Sequence, residues 1–301
     1  MNKTVFIGSV LSSKIALETI IETGVQIDLV CSLDESSSKN VSDYYPIHDI
    51  AKQNDIPYLK FKKINNEEVL SKIKEIEPDF IFVIGLSQII SKEILDMAKK
   101  YSIGFHPTPL PTFRGRAALP WMILLGVRDS KVSLFKLDQG MDSGDIICQY
   151  PYQIEETDYA MDLYNKVCIA MSLALKQCIP SIYNDSVEFI KQNHDEATYL
   201  LIRRPEDGKI DWNLTGKEIK TLIRAANKPY PGAFAYYKEI KVIFWKADLE
   251  ENEKYIGLPG QIAWVSDNGE LGILTKDSML VVKEYSVEGE PFAFYPGHKF
   301  K

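Results

Sequence analysis

The sequence contains little cysteine and no long hydrophobic run. Its 301 residues include four scattered cysteines: Cys31, Cys148, Cys168 and Cys178. Because there is no CxxC pair and no His/Cys cluster, the sequence predicts neither a disulfide framework nor a structural zinc site. No apolar segment approaches the roughly 18 residues that a membrane helix requires. The N-terminus lacks a cleavable-signal pattern and is typical of a first strand. We therefore expect a cytoplasmic protein with no membrane partner.

Basic residues are in the minority. The chain has 35 Lys and Arg residues against 42 Asp and Glu residues, which gives a formal net charge of −7. Proteins that bind a nucleic-acid backbone usually present a basic face. The acidic balance therefore argues against a nucleic-acid partner, while a small substrate that carries phosphate stays compatible with it.

Several familiar motifs are also missing. The turn after the first predicted strand reads GSVLSS rather than GxGxxG, and no GxxxxGK[ST] sequence occurs. The chain also lacks HExxH and GxSxG. Local motifs therefore give no support for a dehydrogenase, a P-loop kinase, a zinc metalloprotease or a serine hydrolase.

Strand and helix patterns alternate through the first half of the chain. Apolar segments at residues 4–9, 26–33 and 79–85 are typical of buried strands, and amphipathic helices are predicted between them. This alternation predicts an α/β domain with a doubly wound, Rossmann-like and mostly parallel sheet. We place this domain at residues 1–197, and a long apolar helix over residues 159–183 closes it.

From about residue 198 the pattern changes to short strands. A turn-rich linker and one helix, from about Thr215 to Pro229, precede several short strand patterns separated by turn residues. Regularly spaced short strands are typical of a small barrel or sandwich. The sequence therefore predicts a second domain over residues 198–301, which contains the linker, the helix and a small OB-like β-barrel.

Three loops at predicted strand ends have unusual compositions. They are VIGLSQII (83–90), GFHPTPLPTFRGR (104–116) and LDQGMDSGD (137–145). Doubly wound sheets bind ligands beyond the carboxyl ends of their strands, so we expect these loops to share one cleft. His106 ends a strand beside a rigid proline segment, which makes it an acid–base candidate. The alternative is a buried histidine that is hydrogen-bonded to a neighbour.

The charged residues of these loops also have two interpretations. The acids Asp138, Asp142 and Asp145 lie among glycines, so turn formation is the alternative to a catalytic role. Arg114 and Arg116 have the chemistry to neutralise a phosphate, and solvated surface charge is the alternative for both.

Taken together, HPTPLPxxRGR and LDxGMDSGDII closely resemble the motifs of the folate-dependent formyltransferase family. The family's histidine and catalytic aspartate match His106 and Asp142. The segments RRPEDGKIDW and LIRAANKPYPGAFAYY are similar to the linker and following helix of the larger, methionyl-tRNA formyltransferase-like members, so the resemblance covers nearly the whole chain. One residue departs from the pattern, because the family's Asn-x-His is Gly104-Phe105-His106 here. We hypothesise that Gln88 or Thr108 replaces the missing amide, with Ser87 also nearby.

The resemblance implies formyl transfer from 10-formyltetrahydrofolate to an amine, without a metal. Asp142 would orient the His106 imidazole and stabilise its protonated form, while His106 would stabilise the oxyanion or move the proton. The cofactor-binding residues that the resemblance implies are Ile84, Leu86, Ser87, Ile90, Asp138, Gly140, Met141 and Asp145.

The implied acceptor is the amine of a nucleotide-linked sugar carrying UDP, dTDP or GDP. The methionyl-tRNA enzymes have a basic insertion after the second strand, whereas SLDESSSKNVSDYYP is polar to acidic here. The chain is most similar to bacterial sugar N-formyltransferases, which act in lipopolysaccharide or surface-glycan biosynthesis. The implied substrate-binding residues are Thr108, Pro109, Arg114, Arg116, Arg203 and Arg204.

Other activities stay open at this point. They are a methionyl-tRNA formyltransferase, a formyltetrahydrofolate hydrolase and a binding homologue without activity. Family members are often dimers, so a homodimer is also open, and the residues leave the nucleotide and the sugar undecided.

Overall fold

The computed structural model describes residues 2–39, 41–289 and 292–301. The chain divides into two compact units. The first contains the described residues up to Ala118, together with Arg128–Gln153 and Tyr164–Leu201. The second contains Leu119–Val127, Ile154–Leu163 and Ile202–Lys301. The domain boundary between residues 197 and 198 stays a prediction.

Within the described residues, the first unit is built on a mixed sheet of seven strands. The strands are β1 (Thr4–Gly8), β2 (Leu29–Leu33), β3 (Tyr58–Phe61), β4 (Phe80–Val83), β5 (Tyr101–His106), β7 (Asp129–Lys136) and β8 (Ile146–Gln153). Their order across the sheet is β3-β2-β1-β4-β5-β7-β8. The first five strands are parallel, while β7 and β8 pair antiparallel. The strand order reverses between β1 and β4, which is the point where such sheets bind ligands.

The described residues contain seven α-helices. They are α1 (Leu11–Glu22), α2 (His48–Gln53), α3 (Glu67–Ile76), α4 (Lys92–Asp96), α5 (Ala118–Leu124), α6 (Ala160–Tyr183) and α7 (Gly216–Ala225). Side-chain oxygens cap α3, α4 and α7. Asn66 accepts from the Val69 N–H at the start of α3, and Ser91 accepts from the Ile94 N–H at the start of α4. Among the described helices, none combines the length and hydropathy needed to cross a membrane.

The core of the first unit lies between the parallel strands and α3. Ile7, Cys31 and Ile81 from three neighbouring strands pack with Val69 and Ile73 of α3, and none of these side chains is exposed. Each large aliphatic side chain buried in this way stabilises the fold by about 1.5–3 kcal/mol. Strands covered on both faces need nearly continuous apolar sequences, which is why β1 and β4 could be recognised. The predicted Rossmann-like fold class is confirmed.

The second unit contains an antiparallel sheet and α7. The strands are β10 (Ala233–Tyr237), β11 (Ile240–Glu250), β12 (Ile262–Val265), β13 (Leu271–Leu274) and β14 (Met279–Val287), in the order β10-β11-β14-β13-β12. The Thr215 hydroxyl accepts from the Glu218 N–H and the Glu218 carboxylate accepts from the Thr215 N–H, so a capping box starts α7. The helix ends at Ala225, four residues before the predicted stop at Pro229.

The last residues of the chain close this sheet into a barrel. The Lys301 and Tyr236 backbones exchange two hydrogen bonds, which join the segment to β10. On its other side, Phe300 N–H donates to Gly260 O, and Ile262 N–H donates to His298 O. The segment therefore bridges the two edge strands, β10 and β12, and the predicted small barrel is closed by residues that the strand patterns did not include.

Two features of the first unit differ from expectation. The RGR segment was predicted to be irregular, but Arg114–Gly115 forms a short strand, β6, that pairs parallel with β9 at Tyr199–Leu200. Cys148 on β8 and Cys178 on α6 form a disulfide, although no disulfide was predicted. Both features join residues far apart in the chain, so neither spacing nor local composition could indicate them.

Candidate active site

His106 lies at the carboxyl end of β5, beside the point where the strand order reverses. Its side chain is 6% exposed. The alternation along a strand places Ser102, Gly104 and His106 on one face. The sheet therefore delivers a nearly buried imidazole to the edge where the loops after β4 and β5 begin. The loop after β7 begins beside Ser102, because β7 runs antiparallel to β5, and it reaches His106 through Asp142.

The proline segment after His106 is held by the two antiparallel strands. The Ser133 hydroxyl of β7 donates to Thr108 O at 2.7 Å and accepts from the Leu110 N–H at 3.2 Å. The Gln149 amide of β8 donates to Leu110 O at 2.9 Å, and the Tyr152 hydroxyl of β8 donates to Pro107 O at 2.6 Å. The segment is thus fixed by its prolines and by side chains beneath it, which keeps His106 in one place.

Both ring nitrogens of His106 face protein oxygen atoms. Nε2 lies 2.8 Å from Phe113 O, and Nδ1 lies 3.6 Å from Asp142 Oδ2. A carbonyl oxygen only accepts hydrogen bonds, so Nε2 must carry a proton. In neutral His106 the lone pair is then on Nδ1, the nitrogen that faces the carboxylate. The 3.6 Å distance is longer than a hydrogen bond.

Asp142 comes from the glycine-rich loop between β7 and β8. Its backbone is left-handed, with φ of 50°, and its Oδ2 atom accepts the Gly115 N–H at 2.8 Å. Asp138 of the same loop accepts from the Gly140 N–H and the Ser143 hydroxyl. Asp138 therefore forms the turn, while Asp142 is the acid that faces His106.

The predicted substrate-binding residues are spread over both units. In the first, Thr108 is buried, Pro109 is half-buried and Arg116 is exposed, while Arg114 is only 1% exposed. The Arg114 guanidinium donates to Gln192, His194 and Tyr199. Its assignment to substrate binding stays a prediction.

In the second unit, Arg203 lies over the Trp121 ring, 5.1 Å from its centroid, and burial lowers the pKa of its guanidinium. The adjacent Arg204 donates its backbone N–H to the Asp207 carboxylate. The assignment of both arginines to substrate binding also stays a prediction.

The predicted cofactor residues lie on the loops after β4 and β7. Ile84 is buried, Leu86 and Ile90 pack against the core, and Ser87 is exposed. On the second loop, Gly140 and Met141 are exposed, and Asp138 and Asp145 begin and end the turn. Their roles in binding are not tested by these positions.

A cavity of about 470 Å³ lies near this site in the first unit. It is lined by Lys92, Leu95, Asp96, Ala98, Lys100, Tyr101, Ser102, Lys136, Leu137, Asp138 and Gln139. Of these residues, only Asp138 was predicted from the sequence. Ser102 lies four residues before His106 on the same strand face, about 13 Å away at the rise of a β-strand. Strand alternation alone could therefore have indicated Ser102.

Gly104 has no room for the family's asparagine in this structure. A Cβ atom at Gly104 would lie 2.6 Å from Leu137 Cδ2 and 3.0 Å from Phe135 Cζ. The two hypothesised substitutes are engaged elsewhere. The Gln88 amide bonds the backbone of Ile64 and Lys62, and the Thr108 hydroxyl donates to Thr112 O. The hypothesis that either residue replaces the amide thus receives no support from these contacts.

Two models of known families match most of the chain. Formyl transferase matches residues 9–179, and formyl transferase, C-terminal domain, matches residues 203–292. The chain belongs to the formyl transferase family. The motif residues around His106 and Asp142 lie inside the first match.

Relatives in this family carry different names. The methionyl-tRNA formyltransferase of Clostridium tetani is 32% identical over 286 residues, covering 94% of this chain and 91% of the relative. The bifunctional polymyxin resistance protein ArnA of Wigglesworthia glossinidia brevipalpis is 32% identical over 236 residues. That match covers 78% of this chain but only 36% of ArnA.

A solved structure of similar fold is an N-formyltransferase from Helicobacter canadensis in complex with folinic acid and dTDP-3-aminofucose. Its TM-score is 0.67 at 22% identity, and the match covers 94% of this chain and 99% of that chain. Formyl transferases use formyltetrahydrofolate. Among the residues that our structure describes, no group of three His, Cys, Asp or Glu side chains is placed to hold a metal ion.

Proposed function

We propose that this protein transfers a formyl group from 10-formyltetrahydrofolate to the amine of a nucleotide-linked amino sugar. The observation that carries the chemistry is the pair formed by His106 Nδ1 and Asp142 Oδ2, 3.6 Å apart at the end of a buried strand. Acyl transfer to an amine requires a base that takes the amine proton, and a carboxylate beside the accepting nitrogen stabilises the imidazolium that forms.

The cavity beside β5 fits the folate. Leu95 and Leu137 supply apolar walls for a flat ring, and Ser102 and Asp138 supply polar groups that can orient it. Leu137 also lies against Gly104, on the strand face that His106 shares. These residues would hold the folate, which supplies the formyl carbon as an electrophile.

The contacts of His106 suggest how it moves the proton. Nε2 keeps its proton on Phe113 O, so the Nδ1 lone pair is available to take a proton from the attacking amine. The resulting imidazolium is stabilised by the Asp142 carboxylate on one side and by the Phe113 carbonyl on the other. His106 can then return the proton to the nitrogen that leaves.

The surface after β2 supports a small acceptor rather than a tRNA. Asp34 and Glu35 lie in this loop, and hydrogen bonds lower the pKa of both carboxyls. Glu35 is paired with Lys60 Nζ at 2.9 Å, so the described residues of this loop present no basic patch of the kind that binds a phosphate backbone. The dTDP-3-aminofucose bound to the Helicobacter canadensis enzyme is an example of the compound class that we infer, a primary amine on a sugar carried by a nucleoside diphosphate.

A mass-spectrometric turnover assay tests this proposal. The protein and 10-formyltetrahydrofolate are mixed with UDP-, dTDP- and GDP-linked amino sugars, and a mass gain of one CO is sought. We expect one sugar to gain the mass, and His106→Ala or Asp142→Asn to slow turnover on the order of a hundredfold or more. Asp129→Asn, an exposed aspartate at the start of β7, is the matched control and should keep wild-type turnover.

A chelator added to the same assay tests the metal-free expectation, and we expect no loss of turnover. Wild-type turnover by the His106→Ala variant would contradict the assignment of His106 as the base.

A methionyl-tRNA formyltransferase is the second candidate. Its support is the 32% identity to the Clostridium tetani enzyme over nearly the whole chain. Including methionyl-tRNA in the panel separates the two. A mass gain on the aminoacyl group alone would overturn the sugar assignment and leave the chemistry in place.

A further inference from the structure

Gln192 links a buried arginine to the loop that carries Asp142. Arg114 is 1% exposed, and Gln192 is 6% exposed. The Gln192 Oε1 atom accepts from Arg114 Nε at 3.1 Å and from Nη2 at 2.6 Å. Tyr199 Oη and His194 Nδ1 accept from the remaining side of the guanidinium. Among the described residues no carboxylate pairs with Arg114, so neutral acceptors hold its charge.

The other end of the Gln192 amide holds the catalytic loop. Nε2 donates to Asp142 O at 2.9 Å and to Gly144 O at 2.6 Å. A guanidinium only donates and a carbonyl only accepts, so the orientation of this amide is fixed by its four partners. Both the Oε1 and the Nε2 atoms of Gln192 thus have hydrogen-bond partners. Exchanging the two atoms by a flip of the amide would place donor against donor and acceptor against acceptor.

The Asp142 loop needs such a support because its backbone is strained. A left-handed backbone costs a residue with a side chain about 1–2 kcal/mol, and Asp142 has φ of 50°. Gly144 lies close against β7, and no side chain fits there because a Cβ atom would lie 1.7 Å from Lys136 O. Two hydrogen bonds from one buried amide fix the carbonyl groups on either side of this turn.

The strand β6 reaches Asp142 directly and through Gln192. Gly115 donates its N–H to Asp142 Oδ2, and the preceding residue, Arg114, orients the Gln192 amide that donates to Asp142 O. The side chain of Asp142 is therefore held by Gly115 and its backbone by Gln192. Gln192 lies between the two family matches, which end at residue 179 and begin again at residue 203.

We propose that Gln192 is a positioning residue for formyl transfer, clamped by Arg114 and acting through Asp142. The role in the reaction rests on the proposed function of His106 and Asp142. Loss of the Gln192 amide would let the Asp142 turn relax, and the carboxylate would move away from His106 Nδ1. A misplacement of about 1 Å in a reacting group costs on the order of a hundredfold in rate.

The isosteric variant Gln192→Glu is the test. It keeps an acceptor for Arg114 and places a second oxygen against the two carbonyl oxygens. With 10-formyltetrahydrofolate and dTDP-3-aminofucose as the probe pair, we expect kcat to fall about a hundredfold while both KM values stay within about twofold. Gln153→Glu, on an exposed residue of β8, is the matched control and should keep wild-type kinetics. A wild-type kcat for Gln192→Glu would overturn the proposal.

A double mutant separates positioning from a general loss of structure. If Gln192 acts through Asp142, adding Gln192→Glu to Asp142→Asn should lower kcat little further. Additive losses would mean that Gln192 supports the fold by another route, and would overturn the proposal.

Amide hydrogen exchange followed by NMR gives a readout that needs no turnover. The Gly115 N–H is protected by Asp142 Oδ2, whereas the Arg116 N–H is protected by Leu200 O at 3.1 Å. We expect Gln192→Glu to speed exchange at Gly115 and to leave Arg116 as in the wild type. If the wild type does not turn over the probe pair, the exchange rate of the Gly115 N–H alone shows whether Gln192 holds the Asp142 loop. If the Gln192→Glu variant does not fold, the Gln192→Met variant is measured in its place. Wild-type protection of the Gly115 N–H in a folded variant would overturn the proposal.

Discussion

The missing side chain at Gly104 is matched by its neighbours, Leu137 and Phe135. Leu137 Cδ2 occupies the space that a Cβ atom would need, and the same leucine lines the cavity that we assign to the folate. The glycine at this position therefore leaves space that Leu137 fills. Reintroducing the asparagine alone would overpack this point.

We predict that Gly104→Asn lowers the free energy of unfolding by about 1–3 kcal/mol, the usual cost of overpacking. In a Leu137→Ala background the same change should cost clearly less, because the leucine tip is gone. Urea denaturation of the four proteins of this cycle measures the coupling. Equal losses in both backgrounds would show that Leu137 does not set the requirement for glycine.

Among the elements of the second unit, an aspartate of β11 joins α7 to β14. Asp248 Oδ1 lies 3.1 Å from Lys220 Nζ on the helix, and Asp248 Oδ2 lies 2.6 Å from Lys283 Nζ on the strand. Hydrogen bonds to Lys283 and Lys220 lower the pKa of Asp248. Its side chain is half exposed, so water screens much of this interaction.

The sign of the pH effect follows from this shift. A carboxyl whose pKa is lowered by folding stabilises the protein at every pH above its pKa in the unfolded chain, about 3.9. That stabilisation is lost as the pH falls through the pKa of the folded protein. We predict that Asp248→Asn destabilises the protein by about 0.5 kcal/mol at pH 7, a typical size for exposed ion pairs. The difference from wild type should shrink below pH 4.

Urea denaturation at pH 7 and near pH 3 measures this difference. Asp267→Asn, in the turn between β12 and β13, is the matched control and should show no change at either pH. A difference for Asp248→Asn that is the same at both pH values would contradict the electrostatic explanation.

On the scale of the whole chain, the last residues complete a core that begins ninety residues earlier. Phe300 is fully buried, and its ring lies 5.8 Å from that of Trp212 and 5.4 Å from that of Phe244. The segment thus contributes both the hydrogen bonds that close the barrel and an aromatic side chain that fills it. Neither contribution depends on local sequence.

Removing this ring should destabilise the second unit strongly. We predict that Phe300→Ala lowers its free energy of unfolding by about 3–5 kcal/mol, since a large cavity replaces a buried ring. Tyr295→Ala, a nearby aromatic that is 54% exposed, should cost much less. Hydrogen exchange of the β10 and β12 amides, which the closing segment joins, reports the loss. If Phe300→Ala and Tyr295→Ala speed exchange of these amides equally, Phe300 is not the residue that closes the barrel.

How far the sequence predicts the structure differs between the fold and the site. Buried parallel strands need continuous apolar runs, so β1 and β4 could be predicted from the sequence. The pair of His106 and Asp142 came from a resemblance in motif. Residues such as Ser102 and Leu137 line the cavity only because strands fold side by side, and a motif does not contain that information.

By itself, the sequence determined the fold class, the order of the elements and the two motifs of a formyl transferase, because periodicity and turn chemistry act over a few residues. Only the tertiary structure decided the tautomer of His106, the role of Asp138 in the turn, the closure of the barrel and the burial of Arg114 against Gln192. Each of these depends on hydrogen bonds or packing between residues far apart in the chain. Such contacts exist only once the chain has folded, so they leave no local trace in the sequence.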